Sequence, residues 1–230
     1  MKYIKKIIEA EFIDRPNRFN ARVLLGGKEI VVHVPNTGRC KELLIKGTTV
    51  LLREELNPNR KTQYDLIAVY KLDKLINIDS QIPNKVVKEA LEKKLIKELS
   101  NYTEISSEKT FGNSRFDFKL SNNKNEEYYL EVKGVTLEEN GECKFPDAPT
   151  ERGKKHLLEL IEAKKSGKGA GVLFLIQMKD VISFSPNFER DPLFSEALIK
   201  AKNDGVDIFV YCCKVDEEQI SLYKKIPLIL

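Results

Sequence analysis

Three residues, Asp117, Glu131 and Lys133, have the types and spacing of a metal-dependent hydrolytic site. Glu131 and Lys133 are two residues apart, so on a strand both side chains project from the same face. A turn over residues 121–125 separates Asp117 from Glu131, and strand pairing through this turn would bring the two carboxylates together. Because adjacent carboxylates repel each other unless a positive charge lies between them, the pattern predicts a bound divalent cation.

The chemistry that this pattern favours is hydrolysis of a phosphodiester. Mg²⁺ (or Mn²⁺) suits a site with one or two carboxylates, and waters complete its coordination shell. A lysine beside the ion can orient a water or stabilise charge that develops at phosphorus. Asp117, Glu131 and Lys133 are therefore the catalytic candidates, and Asp117, Glu131 and Glu98 are the metal-ligand candidates. The same acids and lysine could instead form a salt-bridge ladder on a solvated face of the sheet.

The elements that must position these residues belong to an α/β unit, which we expect over residues 81–230. Helical spacing of apolar residues and strand alternation distinguish its elements. The predicted order is a helix (85–99), three strands (103–111, 114–120 and 128–135), a helix (151–165), a strand (169–177), a helix (192–204) and a strand (206–211). A strand meander after a helix, carrying Asp and Glu-x-Lys, is typical of a restriction-endonuclease-like PD-(D/E)xK domain. Glu98 falls near the end of the first predicted helix, and Asn84 is its predicted N-cap.

The first 80 residues have a different pattern, with short β-rich runs separated by turns. The predicted strands cover 7–13, 19–25, 28–34, 48–52 and 65–70, and a short helix covers 41–45. Gly26-Gly27 between two of these strands is a strong hairpin signal. Five strands with a helix between the third and fourth predict an OB-like β-barrel. An SH3-like barrel or a plain meander would have a similar pattern.

The distribution of charge points to a polyanionic partner. The net charge is +4, yet residues 1–80 alone hold 15 Lys/Arg and 10 Asp/Glu. An excess of positive charge on the barrel favours a nucleic-acid partner. The nucleic-acid-binding candidates lie in a turn and at the start of a helix: Asn36, Thr37, Gly38, Arg39, Arg152, Lys155 and His156. A plain turn and a solvated basic helix face would explain the same residues.

Several other classes of protein are disfavoured. The cysteines show no metal-binding spacing, and a zinc site or a Ser-His-Asp hydrolase would have to use the two histidines, which lie far apart in sequence. The apolar runs are too short to span a bilayer, and no secretory signal is visible. We therefore expect a cytoplasmic protein without a membrane partner, whose oligomeric state is left open.

Several stretches resemble the sugar fermentation stimulation protein family. They are H-V-P-N-T-G from His33, S-R-F-D-F from Ser114, L-E-V-K-G-V-T-L from Leu130, F-P-D-A-P-T-E-R-G-K-K-H-L from Phe145, F-S-P from Phe184 and K-I-P-L-I-L from Lys225. The resemblance implies an OB-like N-terminal domain, a nuclease-like C-terminal domain, DNA binding and a link to sugar (maltose) metabolism. It also places the family's nuclease-like acids and lysine at Asp117, Glu131 and Lys133.

Together these features predict a Mg²⁺-dependent endonuclease or phosphodiesterase that acts on nucleic acid, with DNA as the favoured partner. The alternative is a non-catalytic DNA-binding regulator of sugar (maltose) metabolism genes that keeps the nuclease fold as a platform. A binder of carbohydrate or another small metabolite is a third option, supported only by the family name.

Overall fold

The computed structural model describes residues 1–230, which cluster into two units. The first unit contains Met1–Ile82 together with two later segments, Gln177–Asp180 and Cys213–Ser221. The second unit contains Pro83–Ile176, Val181–Cys212 and Leu222–Leu230. The continuous division predicted at residue 80 had assigned both later segments to the second domain.

The first unit is a closed β-barrel. Its strands are β1 (Ile7–Asp14), β2 (Asn20–Leu25), β3 (Lys28–His33), β4 (Thr49–Glu54), β5 (Tyr64–Lys71) and β6 (Lys74–Asn77). They pair in the order β3-β2-β1-β4-β5-β6, and an additional parallel pairing of His33 with Asp65 joins β3 to β5. This pairing closes the first five strands into a ring, so the predicted OB-like barrel is confirmed. The hairpin turn between β2 and β3 uses positive φ at both Gly26 and Gly27, a conformation that glycine adopts without strain.

The helix predicted over Lys41–Ile45 is wrong. The amides of Leu43 and Leu44 both donate to the carbonyl of Cys40, which makes a single turn that does not continue as a helix. Nucleation of a helix is unfavourable, and the few residues between Cys40 and Gly47 leave no length over which propagation could compensate. Leu43 and Leu44 are nevertheless buried, so the apolar pattern at these positions reflects packing of the turn.

The second unit is built around a mixed six-stranded sheet. The elements that lie wholly or mostly in this unit are α1 (Ile82–Glu92), β7 (Glu104–Phe111), β8 (Ser114–Ser121), β9 (Glu127–Val135), β10 (Glu138–Glu139), β11 (Glu142–Phe145), α2 (Glu151–Lys165), β12 (Gly169–Ile176), β13 (Ser183–Pro186), α3 (Pro192–Asn203), β14 (Asp207–Val215) and β15 (Ile220–Lys225). The main sheet has the order β15-β14-β12-β9-β8-β7, and β10, β11 and β13 form a small second sheet. The main β-strands predicted for this unit are present, while β10, β11, β13 and β15 were not predicted.

The first helix is shorter than its apolar pattern predicts. It ends at Glu92, and Glu98 lies in a separate 3₁₀ turn, Lys97–Leu99. The amide of Lys94 donates to Leu91 and that of Leu95 to Ala90, and Lys94 has a φ of 54°. This hydrogen-bond pattern is a Schellman motif, in which the left-handed position is usually a glycine. Because a lysine occupies that position here, the sequence carries no visible stop signal.

The core of the second unit lies where the sheet meets α2. Phe116, Phe118 and Leu120 alternate along β8 and are buried, as predicted. Helix α2 packs against β8, β9 and β12, and Leu157 and Leu160 on its inner face are fully enclosed. The antiparallel β8–β9 hairpin beneath α2 is therefore held by the hydrophobic core. No helix of the protein is both long enough and apolar enough to cross a membrane.

Candidate metal and nucleic-acid sites

The β8–β9 hairpin places Asp117 opposite Glu131. The last regular pair in its ladder is Phe118 with Leu130, so the next positions outward are Asp117 and Glu131. Beyond this pair, the Asp117 side chain forms a hydrogen bond to the neighbouring strand, because its Oδ2 accepts the amide N–H of Val132 at 2.8 Å. Its Oδ1 accepts the Nδ2 of Asn84, in α1, at 2.7 Å. These two hydrogen bonds hold the orientation of the carboxylate.

Glu131 is an almost fully buried carboxylate, only 4% exposed. One oxygen, Oε1, accepts two charge-assisted contacts, from Lys133 Nζ at 2.6 Å and from His156 Nδ1 at 2.5 Å. The other oxygen, Oε2, is buried and has no hydrogen-bond partner. A buried carboxylate oxygen without a protein partner is costly in free energy, and a bound cation or water would satisfy it.

The pKa values of the two carboxyl groups shift in opposite directions. Burial raises the pKa of Asp117, and the negative charge of Glu131 raises it further. Burial also acts to raise the pKa of Glu131, but His156 and Lys133 outweigh it and the net shift is downward. Ionisation of Glu131 is therefore favoured by its surroundings, while ionisation of Asp117 is less favourable than in a solvent-exposed aspartate. A cation bound between the two groups would remove that penalty.

The residues present fit a hard divalent cation with several waters. No group of three or more His, Cys, Asp or Glu side chains is arranged to hold a metal ion. The hairpin therefore supplies a pair of carboxylates, one of which has an unsatisfied oxygen. This set suits Mg²⁺, which binds through one or two carboxylates and retains water, better than it suits zinc, which takes four protein ligands in structural sites.

Glu98, the third predicted metal ligand, is engaged elsewhere. Its Oε1 accepts Lys225 Nζ at 2.5 Å, and its Oε2 accepts the Tyr211 hydroxyl at 3.4 Å. The Lys225 contact lowers the pKa of the Glu98 carboxyl. Glu98 does not join Asp117 and Glu131 in a three-residue group. The early end of α1 explains the difference, because Glu98 lies outside the helix that was expected to present it.

The predicted basic cluster at the start of α2 divides into exposed and buried residues. Thr150 caps the helix by accepting the Gly153 amide, and Arg152 and Lys155 are exposed. His156 is only 5% exposed, with its ring against Glu131. The structure therefore places His156 with the carboxylates, and not on the surface where a nucleic-acid contact was expected. Lys155 also donates to the carbonyl of Asn113 at 2.8 Å.

The turn over residues 36–39, in the barrel unit, holds its own shape through side-chain hydrogen bonds. Asn36 accepts the Gly38 amide at 2.7 Å and donates to the Ile78 carbonyl at 2.7 Å. Its side chain is thus structural, whereas Thr37 and Arg39 are exposed. No helix follows this turn, so neither Asn36 nor Thr37 acts as a helix cap.

Sequence reasoning missed three contributors. Asn84 was predicted as an N-cap, but it lies inside α1 and holds Asp117. The sequence pattern does not connect His156 with Glu131, and it indicates only a turn at Arg15. Arg15 donates to four backbone carbonyls of the turns that surround it. Of these three contributors, only Arg15 has a signal in the sequence, because it directly precedes the Pro16-Asn17 turn.

Comparisons with known proteins agree with this architecture. Residues 13–78 match the family described as "SfsA N-terminal OB domain", and residues 81–219 match "Sugar fermentation stimulation protein RE domain". The chain belongs to the sugar fermentation stimulation protein family. The resemblance found in the sequence motifs is therefore confirmed, as is a barrel followed by a restriction-endonuclease-like α/β domain.

Full-length relatives share both units. The sugar fermentation stimulation protein homolog of Clostridium tetani is 67% identical over 98% of each chain, and that of Clostridium perfringens strain 13 is 64% identical over the whole of both chains. The solved structure of Pyrococcus furiosus SfsA in complex with Ca²⁺ is 28% identical, covers both chains completely and superposes with a TM-score of 0.89.

Proposed function

We propose that this protein binds nucleic acid, with DNA as the favoured substrate, and hydrolyses phosphodiester bonds with a Mg²⁺ or Mn²⁺ ion held by Asp117 and Glu131. One observation carries the proposal: Glu131 Oε2 is buried beside a second carboxylate and has no hydrogen-bond partner. The PD-(D/E)xK pattern of Asp117, Glu131 and Lys133 agrees with it. Additional support comes from the Pyrococcus furiosus relative, whose structure contains Ca²⁺, another cation that prefers oxygen ligands.

Each residue of the site has a definite task in this mechanism. Asp117 and Glu131 would hold the cation, with the Val132 carbonyl as an additional candidate ligand. When bound, such a cation lowers the pKa of a coordinated water and stabilises negative charge on the phosphate oxygens. Lys133 contributes an ammonium group that can orient the attacking water or stabilise the developing charge. Its present contact with Glu131 Oε1 keeps it next to the carboxylates.

The residues around the carboxylates keep them in position. His156 binds Glu131 Oε1 and thereby leaves Oε2 available. Asn84 and the Val132 amide fix the two oxygens of Asp117. Fixed ligands of this kind avoid reorganisation of the site when the cation binds, which strengthens binding.

Contact with nucleic acid is assigned to the exposed cations. Arg152 and Lys155 lie in the first turns of α2, in the same unit as the carboxylates, and Arg39 lies on the barrel. Cations near a helix N-terminus suit phosphate groups. The match of residues 13–78 to an OB domain supports a role for the barrel in binding nucleic acid.

The test compares the wild-type protein with Asp117→Asn and Lys133→Ala on supercoiled DNA, single-stranded DNA and RNA, with Mg²⁺ or Mn²⁺ and with EDTA. Cleavage that requires the metal and that both variants lose supports the nuclease. Asp147→Asn is the matched control, because Asp147 is an exposed loop carboxylate and its loss should not change activity.

Absence of cleavage under all these conditions would overturn the catalytic proposal. If DNA binding then remained unchanged in both variants over a range of salt concentrations, the protein would be a DNA-binding regulator with a nuclease fold. If no nucleic acid were bound at all, the whole proposal would fail.

A further inference from the structure

The barrel unit contains a strongly basic cleft that no step of the proposed hydrolysis uses. It lies between the loop that joins β1 to β2 and the turn that follows residue 38, and its volume is about 490 Å³. Its cationic lining consists of Arg15, Arg18, Arg39, Lys41 and Lys46. The single acidic residue of the lining, Asp14, is already paired with Arg22, whose Nε donates to Asp14 Oδ1 at 2.8 Å.

Arg15 places a positive charge in the lining of this cleft, and hydrogen bonds hold it in position. Its guanidinium donates to the carbonyls of Asn36, Gly38, Arg39 and Arg18 at 2.5 to 2.9 Å. None of these acceptors is a carboxylate, so the positive charge of Arg15 is not neutralised by a carboxylate. Its Nε is buried and has no hydrogen-bond partner. Burial also lowers the pKa of the Arg15 side chain, as expected for a cation that lacks a counter-ion.

The other cations of the cleft are exposed and make no ion pairs. Arg18, Arg39, Lys41 and Lys46 form no salt bridge, although other cations of the barrel, such as Lys5 and Arg22, do. The loop that carries Arg18 is also preorganised, because Asn17 Oδ1 accepts the amides of Phe19 and Asn20. A cluster of unpaired cations on a fixed frame is ready for an anion without rearrangement of the backbone.

The lining also has an apolar part, which is needed by a ligand larger than a simple anion. Phe12, Ile13, Pro16 and Leu44 contribute to the walls. A volume of about 490 Å³ lies within the usual range for pockets that hold small ligands. Arginine forks match the geometry of phosphate oxygens, and apolar walls suit a base or a sugar. In OB folds, the loop between the first two strands is one of those that contact oligonucleotides.

We infer that this cleft binds one phosphorylated nucleotide unit, with its phosphate in contact with Arg18, Arg39 and Lys41 and in the positive field of Arg15. The nucleotide is either part of a nucleic-acid strand or free. If the nucleotide is part of a strand, the inference rests on the proposed function and identifies where the barrel binds that strand. If the nucleotide is free, the inference does not depend on the proposed function.

The experiment measures binding in EDTA, so that cleavage does not interfere. A fluorescent single-stranded oligonucleotide is titrated with the wild type and with Arg18→Gln/Lys41→Gln, over a range of salt concentrations. Each lost charge-assisted contact should weaken binding about tenfold. The slope of log K against log salt should fall by about 1.4 for two phosphate contacts to a single strand. Because neither side chain makes a hydrogen bond or an ion pair, we expect the variant to fold normally.

The matched control removes the same charge elsewhere, at exposed lysines that do not line the cleft. Lys28→Gln/Lys124→Gln should change affinity less than threefold. If this control weakens binding as much as the cleft variant does, the effect is one of net charge and the inference is overturned.

Competition distinguishes the two sources of the nucleotide. Displacement of the oligonucleotide by a nucleoside monophosphate but not by the nucleoside, together with the loss in the cleft variant, supports the site. If the cleft variant loses affinity for the free monophosphate alone, the source is a free nucleotide. If it loses affinity for neither ligand, or if poly-glutamate competes as well as the monophosphate, the inference is overturned.

Failure of this inference and failure of the proposed function give different results. A nuclease that depends on Asp117 while its cleft variant binds normally contradicts only the inference. Loss of binding in the cleft variant of a protein that never cleaves contradicts only the catalytic proposal.

Discussion

Two clusters of charged side chains, each built around at least one buried carboxylate, differ in how completely their charges are paired. The barrel cluster consists of Lys5, His33, Arg53, Glu55, Arg60, Asp65 and Asp79. The hairpin cluster consists of Asn84, Asp117, Glu131, Lys133 and His156. In the barrel cluster, three cations face three carboxylates, while in the hairpin cluster one lysine faces two.

The pairing in the barrel cluster extends to every carboxylate oxygen. Arg53 alone donates to Glu55 Oε1 at 2.9 Å, to Asp65 Oδ2 at 2.8 Å and to Asp79 Oδ2 at 3.0 Å. The second oxygen of each carboxylate is also paired. Glu55 Oε2 is contacted by Lys5 and Arg60, and Asp65 Oδ1 is contacted by His33 and Arg60. Asp79 Oδ1 accepts the backbone amide of Gln81. The hairpin cluster, by contrast, leaves Glu131 Oε2 without a partner.

The comparison distinguishes a cluster whose charges satisfy one another from a cluster that would gain free energy by binding a cation. Buried charges that satisfy one another need no ligand, and the loss of one member leaves the rest uncompensated. Excess negative charge and an unsatisfied oxygen have a cost in the free protein that a bound cation would offset. Four predictions test this difference.

The largest expected effect is on catalysis. Asp117→Asn should lower the rate of phosphodiester cleavage about 1000-fold, because loss of a metal ligand removes several kcal/mol of transition-state stabilisation. The melting temperature should change little, because the raised pKa of Asp117 means that the folded protein disfavours its ionised form, and removing that charge offsets the loss of one of its two accepted hydrogen bonds. Cleavage assays and thermal melts on the same preparation measure both effects. A strongly destabilised Asp117→Asn protein would contradict the comparison.

The second effect is on stability. Asp65→Asn should lower the free energy of unfolding by about 3 kcal/mol, because it leaves Arg53 and Arg60 without a buried carboxylate that both contact. Urea denaturation measures the change, and Asp73→Asn, at an exposed turn, is the control with no expected effect. If Asp65→Asn loses less stability than Asp117→Asn, the barrel cluster is not the structural one of the two.

The third effect is stabilisation by metal. Mg²⁺ or Mn²⁺ at about ten times its dissociation constant should add about 1.4 kcal/mol and raise the melting temperature by a few degrees. EDTA should reverse the shift. Glu131→Gln should abolish it, whereas Glu142→Gln, an exposed glutamate, should retain it. A shift that persists in Glu131→Gln would place the metal at another site.

The smallest effect is on acid sensitivity. Arg60, His33 and Arg53 outweigh the effect of burial and lower the pKa of Asp65. A depressed carboxyl pKa gives stability that is present above the unfolded value of about 4 and is lost as the pH falls through the lower, folded value. Stability should therefore decline below about pH 4, and the decline should be shallower in Asp65→Asn. Equal acid profiles for the two proteins would show that Asp65 does not contribute to acid sensitivity.

Local patterns were sufficient to predict much of the second unit. The strict alternation of Ser114–Leu120 predicted both the strand and its buried face, and α2 has the bounds that its apolar pattern predicted. Spacing alone also placed Glu131 and Lys133 on one face, because side chains alternate along any strand. The Schellman motif at Lys94 was missed, since its hydrogen bonds can form without the usual glycine.

The sequence by itself determined the two-part composition, the strand hairpin that carries Asp117, Glu131 and Lys133, and the family motifs. These features depend on neighbours within a few residues, so the pattern of residue types reveals them. Only the tertiary structure decided which distant residues contact the site: His156 contacts Glu131, and Asn84 donates to Asp117. It also decided that Glu98 pairs with Lys225 and that Arg15 donates to the turns that border a basic cleft. The contacts of His156, Asn84 and Glu98, and that of Arg15 with Asn36, join residues 21 to 127 positions apart. Such pairings are set by how whole elements pack, which local spacing does not encode.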